Sequence, residues 1–447
     1  MKLKFKKGLS LNIAGAVDAS SRPAEVEVSE VAVVPDDYPG FVPKVSVREG
    51  AAVSAGSPLL YDKAHPEVKL VSPVSGVVKA IVRGERRKIL RVVVEAVDGS
   101  APATSYGKPC DKASAKRFLA ESGMLALMRQ RPYDIVPSPV DDVRDIFVTA
   151  IDSAPLAFPL AAAGDFLFDK EDYEAGVAVL DLASEGKVYF CHDHNWTLGA
   201  LNGADMVEVE GIYPAGNVSV QIGAIKPVDK GDVVWTLDSL TLGRIGRIVR
   251  TGSFFASTVV AVTGPEVSDP CLVSTVAGAA VAPLLAGHVK ASERHLRVIS
   301  GNVLVGAAVD AADGYLRYPY RQLTVIAEGD DVDEFMGWAS MSPKKMSRSR
   351  SFPGYFFKKL FSPDARLNGG RRAMIMSGQY ERTLPMDILP EYLVKAILSR
   401  NIEDMEKLGI YEVAPEDFAA AEYVDTSKLP LQQIVRDGLD YLRKELE

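Results

Sequence analysis

Between Asp145 and Gly264 short apolar runs alternate with helical periods, and this alternation restricts the fold more than any other feature of the chain. Ile146-Phe147-Val148-Thr149-Ala150-Ile151 reads as a buried strand. From Lys170 to Ser184, Tyr173, Val177, Leu180 and Ala183 recur on one helical face, and Gly186 ends the helix. Val188-Tyr189-Phe190-Cys191 and Met206-Val207-Glu208-Val209 follow as strands. Gly216-Asn217 opens a second helix, Ser239 to Arg250 forms a third, and Thr258-Val259-Val260-Ala261-Val262 closes the unit. Apolar strands separated by helices predict a parallel sheet covered on both faces. Ligands of such sheets bind beyond the carboxyl ends of the strands. Here those ends are Asp152-Ser153 and Gly211 to Gly216. Gly243-Arg244-Ile245-Gly246 falls inside the third helix, so it is not a phosphate loop.

The length of 447 residues predicts about three domains. A net charge of −8 argues against general nucleic-acid binding. Cys110, Cys191 and Cys271 are far apart, which gives neither a disulfide framework nor a structural zinc site. The apolar run from Val276 to Gly287 falls short of the ~20 residues that cross a bilayer. Lys2, Lys4, Lys6 and Lys7 have no apolar segment behind them, so the start does not read as a signal peptide. A cytoplasmic protein is the expectation.

Phe41 to Glu95 alternates short strands with turns at Gly50, Gly56 and Gly76, which predicts a small β barrel or sandwich. Its pattern V-x-x-G-x-x-V-x-x-G-x-x-L, with S-P-x-S-G-x-V after it, resembles the biotinyl/lipoyl carrier fold. Lys63 occupies a turn like the one that carries the cofactor there. The M-K-M run is absent, replaced by Asp62-Lys63-Ala64, so Lys63 is read as a turn lysine. The echo of Val47-Arg48-Glu49-Gly50 in Val228 to Val234 is taken as chance.

Cys191-His192-Asp193-His194 offers two histidines pointing the same way along a strand end. Two ligands without a third make a poor metal site, so a hydrogen-bonding cluster is expected. The stretch Ser342 to Arg372 is different in kind. Lys344, Lys345, Arg348, Arg350, Lys358 and Lys359 precede Arg366, Arg371 and Arg372, with Asp364 the sole acid. Phe352, Tyr355, Phe356, Phe357 and Phe361 interleave with them. Basic groups among aromatics suit a lipid headgroup surface or an acidic partner.

Three further features resemble one family, the NqrA subunits of the Na+-translocating NADH:quinone reductases. Lys7-Gly8-Leu9-Ser10-Leu11-Asn12-Ile13-Ala14-Gly15 matches its opening, K-K-G-L-x-L-x-I-x-G. Tyr213-Pro214-Ala215-Gly216 matches a Y-P-x-G loop. Asn368-Gly369-Gly370-Arg371-Arg372, Tyr380-Glu381-Arg382 and Leu384-Pro385-Met386-Asp387-Ile388-Leu389-Pro390 match its tail. More distantly the chain is similar to the RnfC component of the Rnf complex and to the flavin-binding subunit of complex I. The resemblance implies a multidomain α/β fold in four parts. A barrel-sandwich hybrid module would take 1–100, a Rossmann-like α/β domain 101–266 and a β-grasp (SLBB) domain 267–330. A docking segment and a helical ferredoxin-like tail would take 331–447.

In the flavin-binding relatives a glycine-rich loop cradles FMN phosphate. The similar stretch here, Glu121 to Tyr133, keeps only Gly123; Arg129 and Arg131 could meet an anion there, but exposed arginines are common. The acidic run that binds NADH ribose is reduced to Asp152, read as a strand-end cap. Gly123, Asp152, Tyr213 and Gly216 are the ligand-loop candidates. The Rnf-type tail holds [4Fe–4S] clusters by cysteine thiolates, yet no cysteine follows Cys271 here, and Asp425 stands where a Y-V-C-P-S-K-I-P-L run has its cysteine. The chain is therefore expected to bind no cofactor of its own. The resemblance implies a complex using NADH, flavins, an iron–sulfur centre, quinone and Na+. This chain would be a peripheral scaffold on the cytoplasmic face of the bacterial inner membrane, docked to a membrane subunit and contributing to the quinone site. Two alternatives are an NADH/FMN-binding input subunit of Rnf type and a carrier modified at Lys63.

Overall fold

The computed structural model describes residues 1–97, 102–332, 335–339, 341–348, 350 and 352–446. Two small antiparallel sheets make the first module. One orders Glu30–Val33, Ile89–Ala96, Gly76–Arg83 and Ala52–Val53; the other orders Pro43–Val45, Pro58–Asp62 and Lys69–Val71. Leu59, Leu60, Val78, Val92 and Val94 are buried between them. The turn after Pro58–Asp62 is tied by the Asp62 carboxylate, which accepts the amides of Val42 (2.6 Å), Ala64 (2.9 Å) and His65 (2.9 Å). Lys63 is an exposed residue of this rigid turn.

The α/β domain carries a six-stranded sheet in the order Lys2–Lys4, Ala204–Glu210, Val188–His192, Asp145–Thr149, Val234–Asp238, Arg129–Arg131. Pairing is parallel except for the Arg129–Arg131 edge. Ile146, Phe147 and Val148 are wholly buried, as a central strand with helices on both faces requires. The helices Lys170–Ala183 and Ser239–Thr251 pack together on one face, and Val218–Ile225 lies on the other against Phe147 and Val234. At the helix crossing, a Cβ on Gly246 would fall 1.6 Å from the Asp172 carbonyl oxygen, so only glycine permits that approach. Asp172 is buried and accepts from Arg247 (2.7 Å) and Arg250 (2.6 Å), which fixes the same pair of helices.

The expected strand at Thr258 to Val262 exists, but in another sheet. Ser257–Thr263 pairs antiparallel with Cys271–Val276 and parallel with Gln322–Ala327. It belongs to a second six-stranded sheet with Leu296–Ser300, Ala307–Val309 and Ala24–Glu25. The α/β sheet is completed instead by Val234–Asp238 and by the N-terminal Lys2–Lys4, neither of which the apolar pattern had singled out. Apolar period marks a strand as buried without naming its neighbours. Lys2 and Lys4 are positioned by cross-strand ion pairs to Glu208 (2.7 Å) and Glu210 (2.8 Å).

The C-terminal region is helical: Tyr380–Thr383, Pro390–Leu398, Ile402–Lys407, Ala419–Val424 and Leu431–Leu446. Leu393, Val394, Phe418, Val435, Leu439 and Leu442 form its core, which reaches Val220 of the α/β domain. No helix among the described residues is long and apolar enough to cross a membrane.

Candidate functional site at the carboxyl edge of the parallel sheet

The chain runs outward from Asp145–Thr149 through Val188–His192 to Ala204–Glu210, then returns to place Val234–Asp238 on the other side of the first strand. The order reverses between Asp145–Thr149 and Val234–Asp238, and ligands of open α/β sheets bind outside that point. Here the protein's own groups close it. Asp238 caps the Ser239–Thr251 helix by accepting the Thr241 amide (2.7 Å). Arg321 reaches over from the second six-stranded sheet and ion-pairs with Asp238. Burial opposes the Asp238 charge, but Arg321 and the Thr241 amide outweigh it and hold the carboxyl below its ordinary range. Gln322 donates to the Pro155 carbonyl (3.2 Å) and packs the neighbouring turn. A helix N-terminus that carries its own carboxylate repels the phosphate it would otherwise attract. The turn after the first strand, Ala150 to Pro159, contains no glycine to let backbone amides approach a pyrophosphate. These residues do not fit a dinucleotide.

Beside the closed point lies an open cleft of about 730 Å³, lined by Asp152, Ser153, His194, Glu208 and Tyr213. Asp152 is exposed within it and accepts the Ala154 amide (3.0 Å). Gly216 donates its amide to Ser153 Oγ (2.9 Å), and a Cβ there would meet the Ser153 nitrogen at 2.9 Å. Tyr213 is buried, precedes a cis proline and donates to the Glu416 carbonyl (3.1 Å). Its own carbonyl accepts the Leu9 amide (2.8 Å). Leu9, Tyr213, Ala419 and Ala420 then form one apolar cluster. Asp152, Tyr213 and Gly216 thus meet around one loop, with the N-terminal arm and the C-terminal helices packed against it.

Gly123 is elsewhere. It turns at φ +77° with Val71 Cγ2 3.0 Å from the position of a Cβ, against the first module. The expectation that Arg129 and Arg131 are exposed is corrected. Arg129 donates to the carbonyls of Met128 (3.0 Å) and Asp37 (2.9 Å). Arg131 is 3% exposed, 3.9 Å from Asp134. Both lie at junctions between parts of the chain, whose inward demand for charge a linear sequence does not reveal. At Cys191-His192-Asp193-His194, burial pushes the Cys191 thiol up to about 12, which disfavours a thiolate ligand. His192 Nδ1 lies 3.0 Å from the Asp193 carbonyl oxygen, and Asp193 accepts the Asn195 amide (2.9 Å). No group of three or more potential ligands is placed to hold a metal among the described residues.

Family models match the chain in three places. "NqrA N-terminal barrel-sandwich hybrid domain" covers residues 3–97, "NqrA second alpha/beta domain" 110–254, and "NQRA C-terminal domain", of SLBB type, 259–311. The NqrA component of the Na(+)-translocating NADH-quinone reductase of Serratia proteamaculans is 35% identical over 99% of this chain and 100% of its own length. The chain belongs to the NqrA family. The corresponding NqrA proteins of Neisseria meningitidis and Actinobacillus succinogenes are 36% and 37% identical, each again over 99% of this chain and 100% of theirs. Among solved structures, an NAD+-reducing [NiFe]-hydrogenase in the H2-reduced state covers 68% of this chain and 55% of its own, with 13% identity and a TM-score of 0.36, too low to carry an argument. The barrel-sandwich, α/β and SLBB architecture expected from the resemblance is that of the family.

In this NqrA-family chain the C-terminal helices are held by two buried carboxylates. Asp425, fully buried, accepts the amides of Ser427 (3.1 Å) and Leu429 (2.8 Å). Glu391 accepts the amides of Ser377 (3.0 Å) and Gly378 (2.7 Å). Burial, followed by the Asp425 charge, pushes the nearby Tyr380 phenol up. Reading the sequence did not anticipate the Asp238–Arg321 closure. Its one local signal was Asp238 three residues before Thr241, a helix-start pattern.

Proposed function

We propose that this chain is a peripheral, cofactor-free subunit of a Na+-translocating NADH-quinone reductase, seated on the cytoplasmic face of the bacterial inner membrane. Its four parts act as scaffold, and residues 342–372 dock to a membrane subunit. NADH oxidation, flavins and the iron–sulfur centre belong to other subunits, and quinone is reduced near this chain. The names of the relatives supply the complex. The observation that carries the docking role is the surface of that segment. Tyr355, Phe356, Phe357 and Leu360 are exposed beside the exposed Lys358 and Lys359. The segment is nevertheless anchored. Phe361 is buried and exchanges backbone hydrogen bonds with Asn12 (2.8 Å) and Ala14 (2.9 Å). Ala365 donates to the Ala327 carbonyl (3.0 Å). A fixed apolar and cationic patch suits a partner surface better than a solvated linker does. In this reading Asp152, Tyr213 and Gly216 keep the shape of the cleft loop and hold no ligand, and Lys63 is unmodified.

The test replaces Lys344, Lys358 and Lys359 by glutamate in the assembled complex. Recovery of this chain with the membrane subunits should fall while its thermal unfolding stays unchanged; undiminished recovery refutes the docking role. The purified chain should show no flavin or cluster band in its visible spectrum.

A further inference from the structure

A second, smaller cavity of about 100 Å³ lies where the first module, the α/β domain and the SLBB-type sheet meet. Its chemistry is cationic on one side and apolar on the other. Arg244 lies on the buried side of the Ser239–Thr251 helix and is 5% exposed. Its Nη2 donates to the Ser257 carbonyl (3.0 Å), but its Nε has no partner. No carboxylate among the described residues forms an ion pair with it. Burial pulls the guanidinium down to about 10, which leaves it charged at neutral pH.

The other two arginines of the cavity wall are matched. Arg317 donates to Asp37 (2.7 Å), and Arg321 pairs with Asp238. Behind the wall, Arg129, held by backbone carbonyls, covers the face of Tyr318 at 5.4 Å. Three guanidiniums of the wall thus face two carboxylates, an excess of one positive charge on Arg244. A buried charge without a counter-charge is costly, and a planar guanidinium is matched best by a two-oxygen acid. Tyr38 supplies the second polar group. Its ring stacks on Tyr318, with centroids 5.4 Å apart and planes 2° from parallel. Its hydroxyl forms no hydrogen bond with any described residue, whereas that of Tyr318 is engaged by the Leu127 carbonyl. Val33, Leu70, Met124 and Leu316 make the rest of the wall apolar.

Size narrows the ligand further. One water needs ~10–15 Å³ of such space, so the cavity holds roughly seven to ten non-hydrogen atoms. We infer that this cavity is a binding site for a small organic carboxylate with a flat apolar body, its carboxylate on Arg244 and the Tyr38 hydroxyl. Three modules contribute walls, so the ligand would fasten them to one another. The inference is independent of the docking surface, which uses other residues.

The experiment titrates the full-length chain with benzoate, its neutral counterpart benzamide, and inorganic phosphate, by calorimetry and thermal unfolding. Benzoate should bind one per chain and raise the unfolding midpoint, with benzamide and phosphate at least ~10-fold weaker. Arg244→Gln should weaken benzoate at least ~10-fold. Tyr38→Phe removes one unpartnered hydroxyl and keeps the ring stack, so it should fold normally and weaken benzoate roughly 2–10-fold. This milder variant and the benzamide comparison decide the matter even if Arg244→Gln fails to fold. Equal affinity for benzoate and benzamide overturns the proposal, because the charge would then do nothing. So does tighter binding of phosphate, or no response to benzoate at millimolar concentration.

Discussion

At the carboxyl edge of the α/β sheet, side chains that another protein would offer to a ligand are already engaged within the chain. Asp238 caps its own helix and pairs with Arg321, and Tyr213 donates to the Glu416 carbonyl. Around Phe356 and Leu360 the reverse holds. Phe356 and Leu360 are each 67% exposed, and the lysines beside them are exposed too. Both regions are anchored to the rest of the fold, so the contrast is not one of order against disorder. It separates groups whose hydrogen bonds and charges are satisfied from groups that only an external surface can cover. The first kind holds a shape; the second invites association.

The largest effect expected is on the closed region. Gly246→Val would drive a side chain into the Asp172 carbonyl and force apart the helices behind the closed point. A loss of at least ~3 kcal/mol in urea unfolding is expected. A neutral result would mean that those helices are not held as tightly as the contrast requires. Asp425→Ala leaves one buried and one part-buried amide without acceptors and should cost about 2–4 kcal/mol by the same measurement. Next comes pH. The Asp238 carboxyl is held below its ordinary value, so its contribution is fully present above the unfolded-state value. It is lost as pH falls through the lower folded value. Asp238→Asn should therefore flatten the acid limb of the stability curve, most visibly below about pH 4. An unchanged limb would remove the ion pair from the account of closure. The smallest effect belongs to the open region. Phe356→Ser should change stability by no more than ~0.5 kcal/mol yet lower recovery of the chain with membrane subunits. A large loss of stability there would erase the distinction between the two regions.

Much of this was legible in the sequence, for reasons that differ by element. Lys170–Ala183 and Ser239–Thr251 were readable because one helix face is apolar and Asp169 and Asp238 sit at their starts. Asp145–Thr149 was readable as a run buried on both faces. Gly216 was found through a tetrapeptide pattern, and its reason, the close approach of Ser153, is a contact across 63 residues. The misassignment of Ser257–Thr263 has the same root. A strand's burial is local information, whereas its sheet is decided by residues as distant as Gln322. Arg244, Arg129 and Arg131 show the limit most sharply. An arginine within a helix or short strand reads as a surface residue, and only the packing of distant parts of the chain against it turns it inward.

The pairing of Lys2–Lys4 with Ala204–Glu210 ties the beginning of the chain to residues made much later. Lys2 and Glu208 are 206 positions apart. At translation speeds of ~5–20 residues per second, that strand waits on the order of 10–40 s for its partner. During that interval the first module can fold with its leading residues left over, and the outer border of the nascent α/β sheet lies bare. Once Ala204–Glu210 has been made, the opening strand covers that border and blocks it against strands from neighbouring nascent chains.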